Sequence, residues 1–308
     1  MRIIIAGSGG VGGYYGAMLA RAGHEVLFIA RGEHLAALRV RGIVVKSHTG
    51  DFHLPVNAAG NAEGFGEADL VLVCVKSYDT ESSPPLYEAG VGEHTTVLSL
   101  QNGVDNEEIL ARRFGRARVM GGVSFIGSRV ESPGVILHTS FGNIAIGELD
   151  GGVSPRGEAL AAVFNEAGVT CRLSGDIRRD LYAKMVWNVG FNALCAILDC
   201  PAKVAVEFAP TRKVVEDAMR EWVQVARAAG VGLEDSAVQK NVEATLKGGE
   251  VIPSLLHDRR RGRRLEIETF NGKAALMGKE LGVPTPVNAT LANITRFFGC
   301  GYGEPPVS

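Results

Sequence analysis

The chain has 308 residues, long for one hydrophobic core and comfortable for two. Its 46% hydrophobic and 21% charged residues are ordinary for a globular protein, and a formal charge of -2 gives no general pull toward nucleic acid or anionic membrane. The five cysteines (Cys74, Cys171, Cys195, Cys200 and Cys300) include no C-x-x-C pair and the seven histidines no H-E-x-x-H, so neither a disulfide framework nor a metal site is expected. No charged and apolar leader precedes the first strand, and no stretch approaches about 20 uninterrupted apolar residues, which points to a cytoplasmic protein with no membrane partner.

In chain order, residues 2–6 are a β-branched strand and 11–22 a helix stopped by Gly23. Residues 25–30 predict a second strand and 33–40 a helix. The run 69–75 (DLVLVCV) is apolar nearly throughout, as in a strand buried on both faces. Another strand is expected over 95–100, a helix over 104–114, and antiparallel strands over 119–147. Near Asp176 the pattern turns almost wholly helical, with segments at 178–198, 211–229, 236–246, 263–281 and 287–298. Pro201, Pro210, Pro253, Pro284 and Pro286 are expected between segments. The tail 303–308 is expected to fray. Alternation of strand and helix followed by helices alone predicts an α/β fold: a doubly wound, mostly parallel sheet over residues 1–172 and an all-helical domain over 173–308.

The first strand runs into Gly7-Ser8-Gly9-Gly10-Val11-Gly12. A G-x-G-x-x-G loop between strand and helix is the fingerprint of a Rossmann-type dinucleotide site: its glycines allow the tight turn and the close approach of a pyrophosphate, which sits at the helix N-terminus. The second strand ends at Ala30-Arg31, where an NAD-selective fold would carry an acid for the ribose hydroxyl. A guanidinium there can pair with a 2′-phosphate, so NADP(H) is the expected cofactor. Lys76, after the strand at 69–75, is either a second phosphate contact or a surface lysine.

In the helix beginning near residue 178, Lys184, Asn188 and Asn192 recur at i, i+4 and i+8, on one face over roughly 12 Å. Leu181, Met185, Val186, Val189 and Phe191 surround them, so the helix is expected to be buried and the stripe to need polar partners. An internal hydrogen-bonded network would satisfy it. So would a substrate site in which the lysine protonates a forming alkoxide and the asparagines orient carboxylate and hydroxyl groups.

The chain resembles the ketopantoate reductase (2-dehydropantoate 2-reductase) family from Arg2 to about Phe298. The likeness is carried by GSGGVG at 7–12 with Arg31, VCVK at 73–76 with QNGV at 101–104, LYAKMVWNVGFN at 181–192, and residues 254–272. It implies that Lys184 is the general acid and that Asn102 stands near nicotinamide and substrate. It implies further that Asn188 and Asn192 hold the substrate, that Ser254 binds its carboxylate end, and that Glu266 contacts substrate hydroxyl and cofactor. One departure is Ala202: after the Cys200-Pro201 dipeptide the family often carries asparagine.

The resulting expectation is NADPH-dependent reduction of a small 2-oxo acid, foremost ketopantoate to pantoate in pantothenate and coenzyme A biosynthesis, with a homodimer among the possible assemblies. A dehydrogenase of the 3-hydroxyacid type, or an NADPH-binding sensor without catalysis, are the rivals; intact Lys184 and Glu266 speak against the sensor. The arginine-rich run 259–264 is short in a slightly acidic chain and is expected to be a solvated helix start with one arginine toward the substrate, not a nucleic-acid patch.

Overall fold

The computed structural model describes residues 1–299; Cys300 and the tail 303–308 lie outside them. The chain forms two compact units, Met1–Asp180 and Leu181–Ser308. The division falls slightly beyond the expected 172/173, inside a helix whose first turn belongs to the first unit.

The first unit opens with β1 (Arg2–Ala6), α1 (Gly10–Arg21), β2 (Glu25–Ile29) and α2 (Gly32–Arg41). Three short strands follow: β3 (Ile43–Ser47), β4 (Phe52–Leu54) and β5 (Asn57–Ala59). Then come β6 (Leu70–Val73), β7 (Thr96–Ser99), α3 (Asn106–Phe114), the long hairpin β8 (Val119–Ser132) and β9 (Val135–Glu148), α4 (Pro155–Glu166) and β10 (Cys171–Leu173). The sheet order is β4-β3-β9-β8-β7-β6-β1-β2-β5, with β10 also on β9. From β8 through β5 every pairing is parallel, while β8 and β9 pair antiparallel from Met120↔Glu148 outward.

Strand β1 shows why this sheet carries a core on each face. Side chains alternate along a strand. Ile3 and Ile5 join the core built with Tyr15, Leu19 and Phe164, whereas Ile4 and Ala6 join the opposite core with Val71, Tyr87 and Leu110. All four are at most 1% exposed.

The second unit continues α5 (Ile177–Leu198) with α6 (Ala202–Glu207), α7 (Ala209–Ala228), α8 (Ser236–Lys247), α9 (Ser254–Arg260), α10 (Asn271–Leu281) and α11 (Pro286–Gly299). By length and composition α5 could cross a membrane, with mean hydropathy 1.3, but 72% of that stretch is buried inside the protein. It is a core helix, gripped by neighbours. Trp222 Nε1 donates to the Tyr182 carbonyl at 2.9 Å and Asn271 Nδ2 to the Val189 carbonyl at 2.8 Å.

Several expectations are corrected. The helix expected over 263–281 begins only at Asn271: Gly262 has φ +60° and Phe270 φ -105°, ψ -101°, leaving an irregular segment and one short turn at Ile267–Thr269. Pro210 and Pro286 are not between segments but in the first turns of α7 and α11, where a missing N–H costs nothing. The arginine run closes α9 instead of starting a helix.

Candidate active site

In the first unit, the loops after β1, β2, β6 and β7 emerge from one edge of the sheet, because those strands are adjacent and parallel. This edge carries the glycine loop, Arg31, Lys76 and Asn102. Gly7 has φ +100°, and a Cβ there would stand 2.7 Å from the Val75 nitrogen, so no other residue fits the turn. A Cβ on Gly12 would lie 2.3 Å from the Gly7 carbonyl. Gly9 differs, since nothing lies within 4 Å of its Cβ position. The open space is in front of α1, whose N-terminus has no side-chain cap and no acidic residue in its first turn. Free N–H groups, a positive dipole end and open space together fit a pyrophosphate.

Ser8 fixes this loop by donating both its N–H (3.1 Å) and its hydroxyl (2.9 Å) to the Ile29 carbonyl. That ties the phosphate loop to the end of β2. Arg31, two residues further on, is exposed in extended backbone immediately before α2. Lys76 is half-buried and follows the end of β6. Asn102 is half-buried in the turn after β7, where Gly103 takes φ +115°.

The Asn102 turn rests on side chains that the sequence does not single out. Asn106 Nδ2 donates to the Asn102 carbonyl at 2.7 Å, and Thr80 donates its hydroxyl to Asn106 Oδ1 at 2.8 Å. Gln101 Nε2 reaches the Thr80 hydroxyl (2.7 Å) and the Val75 carbonyl (3.0 Å). The chain thereby fastens the loop after β6 to the loop after β7. A buried glutamine beside an N-G turn is the one sequence signal for it.

In the second unit, the polar stripe of α5 faces partners. Asn188 and Asn192 are 5% and 2% exposed. Asn192 Nδ2 donates to the Asn188 Oδ1 at 3.3 Å, and Asn192 Oδ1 accepts from the Ser254 hydroxyl and the Leu255 N–H, both at 3.2 Å. Ser254 is the first residue of α9, exposed, and makes no capping bond of its own. Its hydroxyl is turned to the asparagine.

Lys184, half-buried on the same stripe, has its pKa pushed down to about 8 because burial disfavours the ammonium; the Glu266 carboxylate pulls the other way. Glu266 is 4% exposed in the irregular segment before α10. Glu268 is held apart from it by a two-point pair with Arg296 of α11, each contact 2.7 Å. An ammonium titrating near 8 beside a carboxylate can release a proton near neutral pH.

Five of the expected residues therefore gather on the second unit: Lys184, Asn188, Asn192, Ser254 and Glu266. Asn102 stands with the glycine loop on the first. Ala202, where the family often has asparagine, is fully buried at the start of α6, and its N–H donates to the Val251 carbonyl at 3.0 Å. Among the described residues no cluster of three or more histidine, cysteine, aspartate or glutamate side chains could hold a metal.

Comparison with known proteins bears on the same regions. The family model described as ketopantoate reductase PanE/ApbA matches residues 3–151, and the model of its C-terminal part matches 176–298. The 2-dehydropantoate 2-reductase of Archaeoglobus fulgidus is 36% identical over 96% of this chain and 97% of its own. The crystal structure of 2-dehydropantoate 2-reductase from Geobacter metallireducens has TM-score 0.92 and 38% identity, covering 96% of this chain and 99% of that one. A ternary structure of D-mandelate dehydrogenase with NADH and anilino(oxo)acetate also reaches TM-score 0.92, at 25% identity over 97% of this chain and 98% of that one.

Proposed function

The chain belongs to the ketopantoate reductase family, and from that premise we infer that it reduces ketopantoate to pantoate with NADPH. The carrying observation is Lys184, an ammonium brought near pKa 8 by burial, next to Glu266 and in line with Asn188 and Asn192.

NADPH, when bound, supplies the hydride for the ketone carbon. Gly7, Ser8, Gly9, Gly10, Val11 and Gly12 would receive its pyrophosphate at the N-terminus of α1, and Arg31 would take the 2′-phosphate, with Lys76 as a second phosphate contact. The NADH in the D-mandelate dehydrogenase complex does not bear on this choice, which rests on the arginine of this chain at the end of β2. Asn102, whose turn is held by Asn106, would lie at the nicotinamide end.

Lys184 gives its proton to the substrate oxygen as negative charge develops there. A pKa of about 8 leaves roughly nine in ten of these groups charged at pH 7, so the acid is present and willing to part with the proton. Glu266 keeps the ammonium from falling further and accepts a hydrogen bond from the product hydroxyl. Asn188, Asn192 and Ser254 orient the acid. We extend the reading to a cytoplasmic enzyme whose partner is a small 2-oxo acid and neither nucleic acid nor membrane. The exclusion of nucleic acid and membrane is supported by the charge of -2 and by the engagement of Arg259 with the last turn of α5 and of Arg260 with Asp199.

Ala202 favours a second reading in which the chemistry stays and the acid changes. A methyl in that buried place offers no amide to a substrate hydroxyl. NADPH oxidation measured against ketopantoate and a panel of branched and aromatic 2-oxo acids separates the two. A kcat/KM for ketopantoate below that of another acid by tenfold or more would overturn the pantoate assignment.

A further inference from the structure

The arginine run 259–264 has no part in the chemistry above, yet its first two members are engaged. α9 has only seven residues, too short to hold its own geometry, so its position depends on what grips its ends. The N-terminal end is gripped by Asn192 through the Ser254 hydroxyl and the Leu255 N–H. At the other end Arg259 donates Nη1 to the carbonyls of Ala196 and Ile197. These belong to the last turn of α5, where carbonyls lack helical partners and a cation is favoured. The same guanidinium lies over the Phe298 ring of α11, 4.1 Å from its centroid. Arg260 adds a contact from Nε to Asp199 Oδ1 at 2.7 Å and from Nη2 to the Asp199 carbonyl at 3.2 Å. Asp199 itself ends α5 in the left-handed region, φ +53°. α9 is thus fastened at both ends to the helix that carries Lys184, Asn188 and Asn192.

We propose that Arg259 is a positioning residue: by clamping the end of α9 onto the final carbonyls of α5, it holds Ser254 where the carboxylate of the 2-oxo acid binds. This rests on the assignment of Ser254 to the substrate made above. Arg260 is the weaker, more exposed second clamp. The basic run is then a device for substrate affinity, built from arginine because a planar guanidinium can serve carbonyls and an aromatic face at once.

The test compares Arg259→Met, Arg259→Lys, Ser254→Ala and the double variant Arg259→Met/Ser254→Ala in steady-state kinetics, with NADPH affinity by fluorescence titration. Arg259→Met is expected to raise KM for ketopantoate about three- to tenfold, the worth of an ordinary hydrogen bond, with kcat within about twofold and NADPH affinity unchanged. Arg259→Lys should recover part of the loss. The double variant should be no worse than Ser254→Ala, since the arginine acts through the serine. Additive effects, or an unchanged KM in Arg259→Met while Ser254→Ala raises it, would overturn the positioning role and leave the function intact. An unchanged KM in Ser254→Ala would remove the serine's assignment and the proposal with it. If Arg259→Met does not fold, Arg259→Lys and Arg260→Gln carry the same comparison, each with a smaller KM rise.

Discussion

Replacing Lys184 with methionine should slow the reaction severely and stabilise the protein. The fall of its pKa from the ordinary 10.5 to about 8 corresponds to about 3 kcal/mol at 1.36 kcal/mol per tenfold. The attraction to Glu266 is already inside that figure. Because the side chain is not fully enclosed, it is an upper bound. Below pH 8 the lysine is charged both folded and unfolded, and folding bears the whole desolvation cost. Between about 8 and 10.5 the folded lysine is neutral while the unfolded one is still charged, so the cost fades and stability rises with pH; above 10.5 it is gone. Lys184→Met should therefore raise the thermal midpoint at pH 7 by up to roughly 5–10 °C, and by less than half as much at pH 9.5. The same variant should lose a factor of roughly 10²–10⁴ in kcat. In the unmodified enzyme kcat/KM should fall as pH rises past about 8, where the free lysine loses its proton. Calorimetry at two pH values and NADPH oxidation across pH measure all three. A variant with more than a tenth of normal turnover, or a midpoint at pH 7 no higher than the parent's, would refute the reasoning.

Three further outcomes follow from the sites. NADPH should bind at least about tenfold more tightly than NADH, the worth of a charge-assisted contact, and Arg31→Asp should shrink or invert that ratio in titrations with both cofactors. Gly12→Ala sets a methyl 2.3 Å from the Gly7 carbonyl and should weaken NADPH binding by about tenfold or more; unchanged affinity would show that the loop shifts freely. Ala202→Asn should lower KM for ketopantoate about two- to tenfold at similar kcat, with the thermal midpoint checking that the buried place accepts the larger side chain.

The parts of the fold legible in the sequence were those written in local periodicity. The run DLVLVCV and the glycine loop mark β6 and the β1–α1 turn because burial on both faces and a phosphate turn leave strong local signatures. β3, β4 and β5 are not much shorter than β6 or β7, but they are only partly buried and mix polar with apolar residues, so no apolar run marks them. α4 is absent from the elements expected above, although Ser154 as its cap and Pro155 as its first residue are a helix-start signal. The expected helix at 263–281 failed in its first part because apolar residues continue through Phe270 while the helical backbone does not. For the site, Lys184, Asn188 and Asn192 could be read because one helix spaces them. Their neighbours Ser254 and Glu266 are more than sixty positions away, and only the family resemblance suggested them. The place of Arg259 within its basic run could not be read: its hydrogen-bond partners are backbone carbonyls, which have no letter in a sequence.

Strand β1 bears on how this protein can change over evolutionary time. Its residues are dealt alternately to two separate cores, and its last one hands directly to Gly7. Trimming Ile3, Ile4 or Ile5 to valine costs about 0.5–1.5 kcal/mol each, a loss that compensating changes elsewhere can absorb. Deleting any one residue instead sends every preceding side chain to the wrong face and moves the paired edge of β2 or β6 out of step with the nucleotide turn. Lineages descending from this chain are therefore free to respell β1 but not to lengthen or shorten it, and natural insertions should be found on the far side of the sheet, in the loops around β3 and β4.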